Sequence, residues 1–156
     1  LLAKVEDMVD TGPEGWRFLK INASMTEILR PMIYGVRHPL RLLGCNEPAT
    51  ERYVIVGLCC ESGDLFTPGE RDPEAIEAIP MPEARLGDYV AIHETGAHGF
   101  AMGFNYNGKL RHAELLLEPD GSVRRIRRAE TVDDLMRTIE FDTLEPVGES
   151  RATATR

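Results

Sequence analysis

The sequence predicts a mainly β domain, a barrel or sandwich of about six to eight short strands, with short helices near Met25 and Val132. Three observations lead there. Apolar and β-branched runs are short and recur with turn signals between them. Two of those signals have hairpin placement: Thr11-Gly12-Pro13-Glu14-Gly15, and Asp120-Gly121 between the strand-like runs 111–117 and 123–128. Pro68, Pro73, Pro80 and Pro82 between Thr67 and Glu83 exclude a long regular element from that span.

Leu1 to Val9 alternates loosely, as a strand or a frayed helix, and Trp16 to Ile21 answers it as the second arm of a hairpin. Ser24 and Glu27 have capping-box spacing. The helix they open has one or two turns and ends near Arg30, because Pro31 disfavours helical geometry in the residue before it. Arg30 and Tyr34 then come from the helix end and the extended segment after it. Leu40–Leu43 is a short strand, 44–51 a loop, and Tyr53–Val56 a buried strand that breaks on Ser62-Gly63-Asp64. Within the proline-rich span, which reads as an ordered loop over the barrel, Pro73 to Ile79 can form one turn of helix. Gly87-Asp88 starts the strand Tyr89–His93. Thr131 caps a closing helix, Val132 to Ile139, with Asp133 and Asp134 well placed for its dipole. Nothing is periodic from Asp142 onward, so residues 1–141 read as the domain and 142–156 as a flexible tail.

Composition removes several classes of function. Hydrophobic residues at 42% and charged residues at 28% are ordinary for a globular domain. A net charge of −8 disfavours nucleic acid and anionic membrane as partners, since both call for basic patches. The basic cluster Arg124-Arg125-Ile126-Arg127-Arg128 alternates with apolar residues and fits a strand with an exposed face. No apolar run reaches the ~20 residues of a membrane span. Lys4, Glu6 and Asp7 interrupt any signal peptide at the start. Three cysteines, two of them adjacent, do not make a disulfide framework, which points to a reducing cytoplasm, and no Cys/His spacing of zinc type occurs.

The stretch Val56-Gly57-Leu58-Cys59-Cys60-Glu61-Ser62-Gly63-Asp64 carries the chemistry. A free cysteine is most often a small buried hydrophobe. Here strand alternation would send Cys59 and Cys60 to opposite faces, and the neighbouring Glu61 argues for partial exposure. The stretch resembles the G-P-x-C-E-S-x-D block of the diaminopimelate decarboxylases, in the pyridoxal-phosphate decarboxylase family that includes the ornithine and arginine enzymes; Leu58 replaces the usual proline. Two further blocks share the resemblance. Asn22-Ala23-Ser24-Met25, Arg30-Pro31, Tyr34 and His38-Pro39 are similar to D-A-G-M-x-x-x-x-R-P-x-x-Y-x-x-x-H-P. Glu94 to Asn107, with Gly96-Ala97, Met102 and Tyr106-Asn107, is similar to the block that closes the cofactor site. His98 departs from it, standing where the family commonly has a tyrosine whose hydroxyl reaches the cofactor. An imidazole can also donate a hydrogen bond, and His98 can equally be a structural histidine.

The resemblance covers the chain to about Phe141 and implies the family's C-terminal β domain, similar to that of alanine racemase, without the N-terminal β/α barrel that supplies the Schiff-base lysine and the phosphate grip. It places Cys60 as the catalytic proton donor, Glu61 on the substrate's distal ammonium, and Arg30 with Tyr34 on its distal carboxylate. His98 would be the cofactor-facing residue and pyridoxal 5'-phosphate the cofactor. Planar, always-charged guanidinium suits a carboxylate. A substrate with both distal groups is meso-diaminopimelate, and decarboxylation would give L-lysine. In the family the cysteine block of one subunit completes the site of the other, so a homodimer is implied. Two alternatives stand beside this: a related decarboxylase for lysine, ornithine or carboxynorspermidine, and a non-catalytic β domain that binds a partner. Lys4, Lys20 and Lys109 lie in strand- or turn-like segments, so the chain by itself is expected to fold and to be inactive.

Overall fold

In the computed structural model, which describes residues 1–140, one strand joins the principal sheet together. β1 (Leu2–Asp10) pairs through Leu2, Ala3 and Lys4 with β8 (Tyr89–Ile92), and through Val5 to Asp10 with β2 (Arg17–Ile21), both antiparallel. Its register shifts between Val5 and Asp7, and such a bulge bends a strand so that its two ends can serve different neighbours. β3 (Leu40–Leu42) adds to β8, β4 (Glu51–Val56) lies parallel to β2, and β7 (Ile79–Met81) runs antiparallel to β4. The result is a six-stranded, nearly closed barrel-like sheet of order β3-β8-β1-β2-β4-β7. The protein is mainly β, as the sequence predicts. The described residues form ten strands rather than six to eight, because two small sheets accompany the large one. The tail expected over 142–156 lies outside the described residues.

Alternation explains β1: Ala3 and Val5 point into the core while Lys4 lies between them on the other face. β4 is different. Tyr53 and Ile55 join Val5, Leu19, Ile21, Val90 and Ile92 in the main core, whereas Val54 faces a second cluster with Leu65 and Ala78. A strand covered on both sides needs a continuous apolar run, and Tyr53-Val54-Ile55 supplies it. The Tyr53 hydroxyl accepts the Ala84 N–H at 3.2 Å, so the buried phenol keeps a partner.

Two local expectations fail for physical reasons. Residues 24–29 are not a helix; the helix α1 is Arg30–Tyr34. Pro31 sits in its first turn, where a missing N–H costs nothing, so the proline starts the helix instead of ending one. Only half of the capping box forms: Glu27 Oε2 accepts the Ser24 N–H at 2.7 Å, while the Ser24 hydroxyl oxygen accepts the Leu58 N–H at 3.0 Å. Gly35 then closes α1 in the left-handed region at φ 59, its N–H donating to the Pro31 carbonyl at 2.9 Å. Residues 72–76 are likewise strand, not helix: β6 (Asp72–Ile76) pairs with β5 (Pro68–Gly69). The prolines of this span are compatible with such short edge elements.

After β8, α2 (Gly99–Met102) is a single turn, and β9 (Glu114–Leu117) and β10 (Val123–Arg127) form the hairpin that Asp120-Gly121 signals. α3 (Val132–Met136) carries the capping box between Thr131 and Asp134. Its end at Met136 is earlier than the expected Ile139, whose N–H still bonds the Met136 carbonyl at 2.9 Å.

Candidate functional site

Strand β4 ends at Val56, before the cysteines. Residues 57–64 are a closed turn: Gly57 N–H donates to the Asp64 carbonyl at 3.0 Å, Asp64 N–H to the Glu61 carbonyl at 3.1 Å, and Val56 bridges Leu65 beneath them. Cys59 and Cys60 therefore do not alternate on a strand. Cys59 is half-buried, with its thiol pushed above the ordinary value chiefly by burial, while Cys60 is exposed at the tip. The tip is open to solvent. A cavity of about 1030 Å³ runs between Leu1, Ile92, Phe100 and the β9–β10 hairpin, and none of Arg30, Tyr34, Cys60, Glu61 and His98 lines it.

Glu61 is half-buried, and among the described residues its carboxylate has only long contacts: the Ser62 hydroxyl at 3.3 Å, the Gly63 N–H at 3.5 Å and the Tyr106 hydroxyl at 3.5 Å. A carboxylate so loosely engaged on an open turn is free to take an ammonium. The Tyr106 contact brings the third block of the sequence to the cysteine turn. Only the Tyr106-Asn107 pair signalled it, and sequence reasoning gave Tyr106 no role.

α1 packs against the same turn. A Cβ on Gly63 would meet Met32 Cγ at 2.8 Å, so glycine is what lets the helix approach. Arg30, at the start of α1, is half-buried, and Tyr34, at its end, is exposed. Arg30 lies near enough for its charge to act on His38, which is buried beyond the helix. His38 Nδ1 donates to the His93 carbonyl at 3.0 Å, which leaves Nε2 buried and unpartnered among the described residues. Burial pushes the His38 imidazole below its ordinary value, the Arg30 charge adding to it and the His93 bond opposing. His98 is exposed at the N-terminal end of α2, where its carbonyl accepts the Met102 N–H at 3.1 Å. The fold thus brings Arg30, Tyr34, Cys60 and Glu61 to two abutting segments, and it presents His98 to solvent.

Residues 1–96 match the C-terminal sheet domain of the pyridoxal-dependent decarboxylases. The chain belongs to that family. Protein TabA of Pseudomonas amygdali pv. tabaci is 37% identical over 147 residues, which cover 94% of this chain and 33% of TabA. A crystal structure of diaminopimelate decarboxylase superposes with a TM-score of 0.80 at 31% identity, over 87% of this chain and 32% of that one. The Helicobacter pylori diaminopimelate decarboxylase complexed with L-lysine gives a TM-score of 0.71 at 31% identity, over 87% of this chain and 30% of that one. The chain spans about a third of the length of these relatives.

The family works with a pyridoxal cofactor, and the lysines of this chain do not fit its covalent attachment. Lys4 Nζ lies 3.1 Å from Glu6 and Lys20 Nζ 3.5 Å from Asp7, both pairs on the outer faces of β1 and β2. Lys109 lies in the turn after Tyr106. Lysines on outer strand faces and in a turn lack the dry pocket in which a Schiff-base amine is activated. The exposed residues of the cysteine turn and His98 fit the rim of a site, not its floor.

Proposed function

We propose that this chain is the β domain of a diaminopimelate decarboxylase, which releases carbon dioxide from meso-diaminopimelate to leave L-lysine. The observation that carries the proposal is the abutment of α1 on the cysteine turn, through Met32 and Gly63, in a domain whose relatives include diaminopimelate decarboxylases. The cofactor, when bound, supplies an electron sink for the departing carboxylate's electrons. The chain's own residues do the rest. Cys60 donates a proton to one face of the reacting carbon. Glu61 takes the distal ammonium, Arg30 and Tyr34 take the distal carboxylate, and His98 faces the cofactor.

Cys60, exposed on its turn, is open to a second copy of the chain, which supports a homodimer with shared sites. Three free cysteines among the described residues suit a reducing cytoplasm. Covalent attachment of the cofactor falls to the two-thirds of the relatives that this chain does not match, so the chain alone binds no cofactor specifically and turns over no substrate.

The test is an assay of carbon dioxide and L-lysine release by the protein joined to its β/α barrel, across meso-diaminopimelate, ornithine and lysine. Turnover of meso-diaminopimelate well above the other two is expected. A clear preference for ornithine, which has no distal carboxylate for Arg30, would overturn the assignment.

A further inference from the structure

We infer that Asp64 is the positioning residue of this site: its carboxylate fastens the Cys60–Glu61 turn to the segment that leads into Arg30, so that proton donor and carboxylate clamp share one frame. The catalytic consequence rests on the decarboxylase reading, whereas the fastening does not.

Asp64 is buried, and each of its oxygens is taken by a backbone amide from a different segment. Met25 N–H donates to Oδ1 at 2.7 Å and Cys59 N–H to Oδ2 at 2.7 Å. The Ser24 hydroxyl oxygen accepts the Leu58 N–H at 3.0 Å, and that side chain lies near enough to the same carboxyl to favour its charged form. Residues 24–25 and 58–59 are therefore stitched together around one side chain. Gly57 makes room for it: a Cβ there would stand 2.2 Å from Asp64 Oδ2. Two separate N–H donors need two acceptor oxygens. Asparagine offers one and turns its own NH₂ against the other donor, and an apolar residue leaves both amides unsatisfied in a buried place.

Stability alone does not account for a carboxyl here. Burial raises its proton affinity above the ordinary carboxylate value, and the bonds from Cys59, Met25 and Ser24 offset that only in part. What the residue delivers is geometry. It fixes the amide next to Cys60 on one side and the approach to α1 on the other, while Met32 seats that helix on Gly63.

Amide hydrogen exchange on the chain, wild type against Asp64→Asn, tests the fastening. The Met25 and Cys59 amides should exchange about tenfold faster, as expected for a buried hydrogen bond lost, while Leu19 and Ile55 in the sheet stay protected. Unchanged exchange at both amides overturns the inference. If Asp64→Asn unfolds the sheet, Ser24→Ala reads the same junction with the carboxylate in place: Leu58 and Cys59 should exchange faster, and no change there overturns it equally. In the protein joined to its barrel, Asp64→Asn should lower kcat about tenfold with KM and cofactor absorbance kept, the signature of misplaced groups. Faster exchange with unchanged kcat would overturn the positioning role. An inactive wild type would instead sink the decarboxylase reading, and the fastening would then stand or fall on the exchange rates.

Discussion

The strand β4 and the hairpin β9–β10 are both rich in aliphatic residues, yet the centre of one is fully enclosed and the other is almost entirely exposed. Tyr53, Val54 and Ile55 are each 0% exposed, while Leu115 is 63% and Leu117 70% exposed. β4 has a sheet on one side and the cluster of Leu65 and Ala78 on the other. β9–β10 has its Asp-Gly turn, its own ladder, and the surface ion pairs Arg124–Glu118 and Arg127–Glu114, with Arg127 lying over the Phe100 ring. A turn and a ladder are enough to make a strand; burial needs a second layer. The contrast also separates what positions the site, which is the β4 side, from what flanks it.

The comparison breaks most easily in the core. Ile55→Ala should cost about 2–5 kcal/mol, and Leu117→Ala less than about 0.5 kcal/mol, read as urea midpoints at equal slope. A Leu117 loss as large as that of Ile55 would mean that the hairpin is packed after all. Gly57→Ala, which forces a methyl against the Asp64 carboxylate, should cost about 1–3 kcal/mol; a neutral result would show that the turn gives way easily. At the hairpin, Arg124→Ala should change stability by no more than about 1 kcal/mol, and less at high salt.

A smaller effect sharpens the same contrast through pH. The folded state lowers the His38 value, so it favours the neutral ring more than the unfolded chain does. That contribution is fully present above the usual histidine value of about 6.5 and is lost as pH falls through the lowered one. Unfolding midpoints should therefore drop across that window, and His38→Gln should remove this component of the slope. An identical slope in the variant would contradict a buried neutral His38.

Much of the fold was legible because hairpin chemistry is local: Gly12 and Asp120-Gly121 name their turns without help. The failures came where a residue has two local meanings. Pro31 can stop a helix or begin one, and the choice was made by where the Ser24 hydroxyl went, to Leu58 across the fold. Pro73 to Ile79 has the composition of a helical turn, but its first part pairs in β6 with β5 because a neighbour exists. In the site, Cys60, Glu61, Arg30 and Tyr34 could be named from motifs, and the abutment of their two segments could not. Asp64 looked like a turn residue, since nothing local reveals that Met25 lies against it.

Whether Cys60 on its exposed turn is the proton donor is decided in the protein joined to its barrel. L-Lysine formed from meso-diaminopimelate would be measured for Cys60→Ala and Cys59→Ala beside wild type. Cys60→Ala should lower it about 10²–10⁴-fold, with cofactor absorbance intact, and Cys59→Ala should leave the rate near wild type. Equal lysine formation by Cys60→Ala and wild type would contradict the proton-donor role.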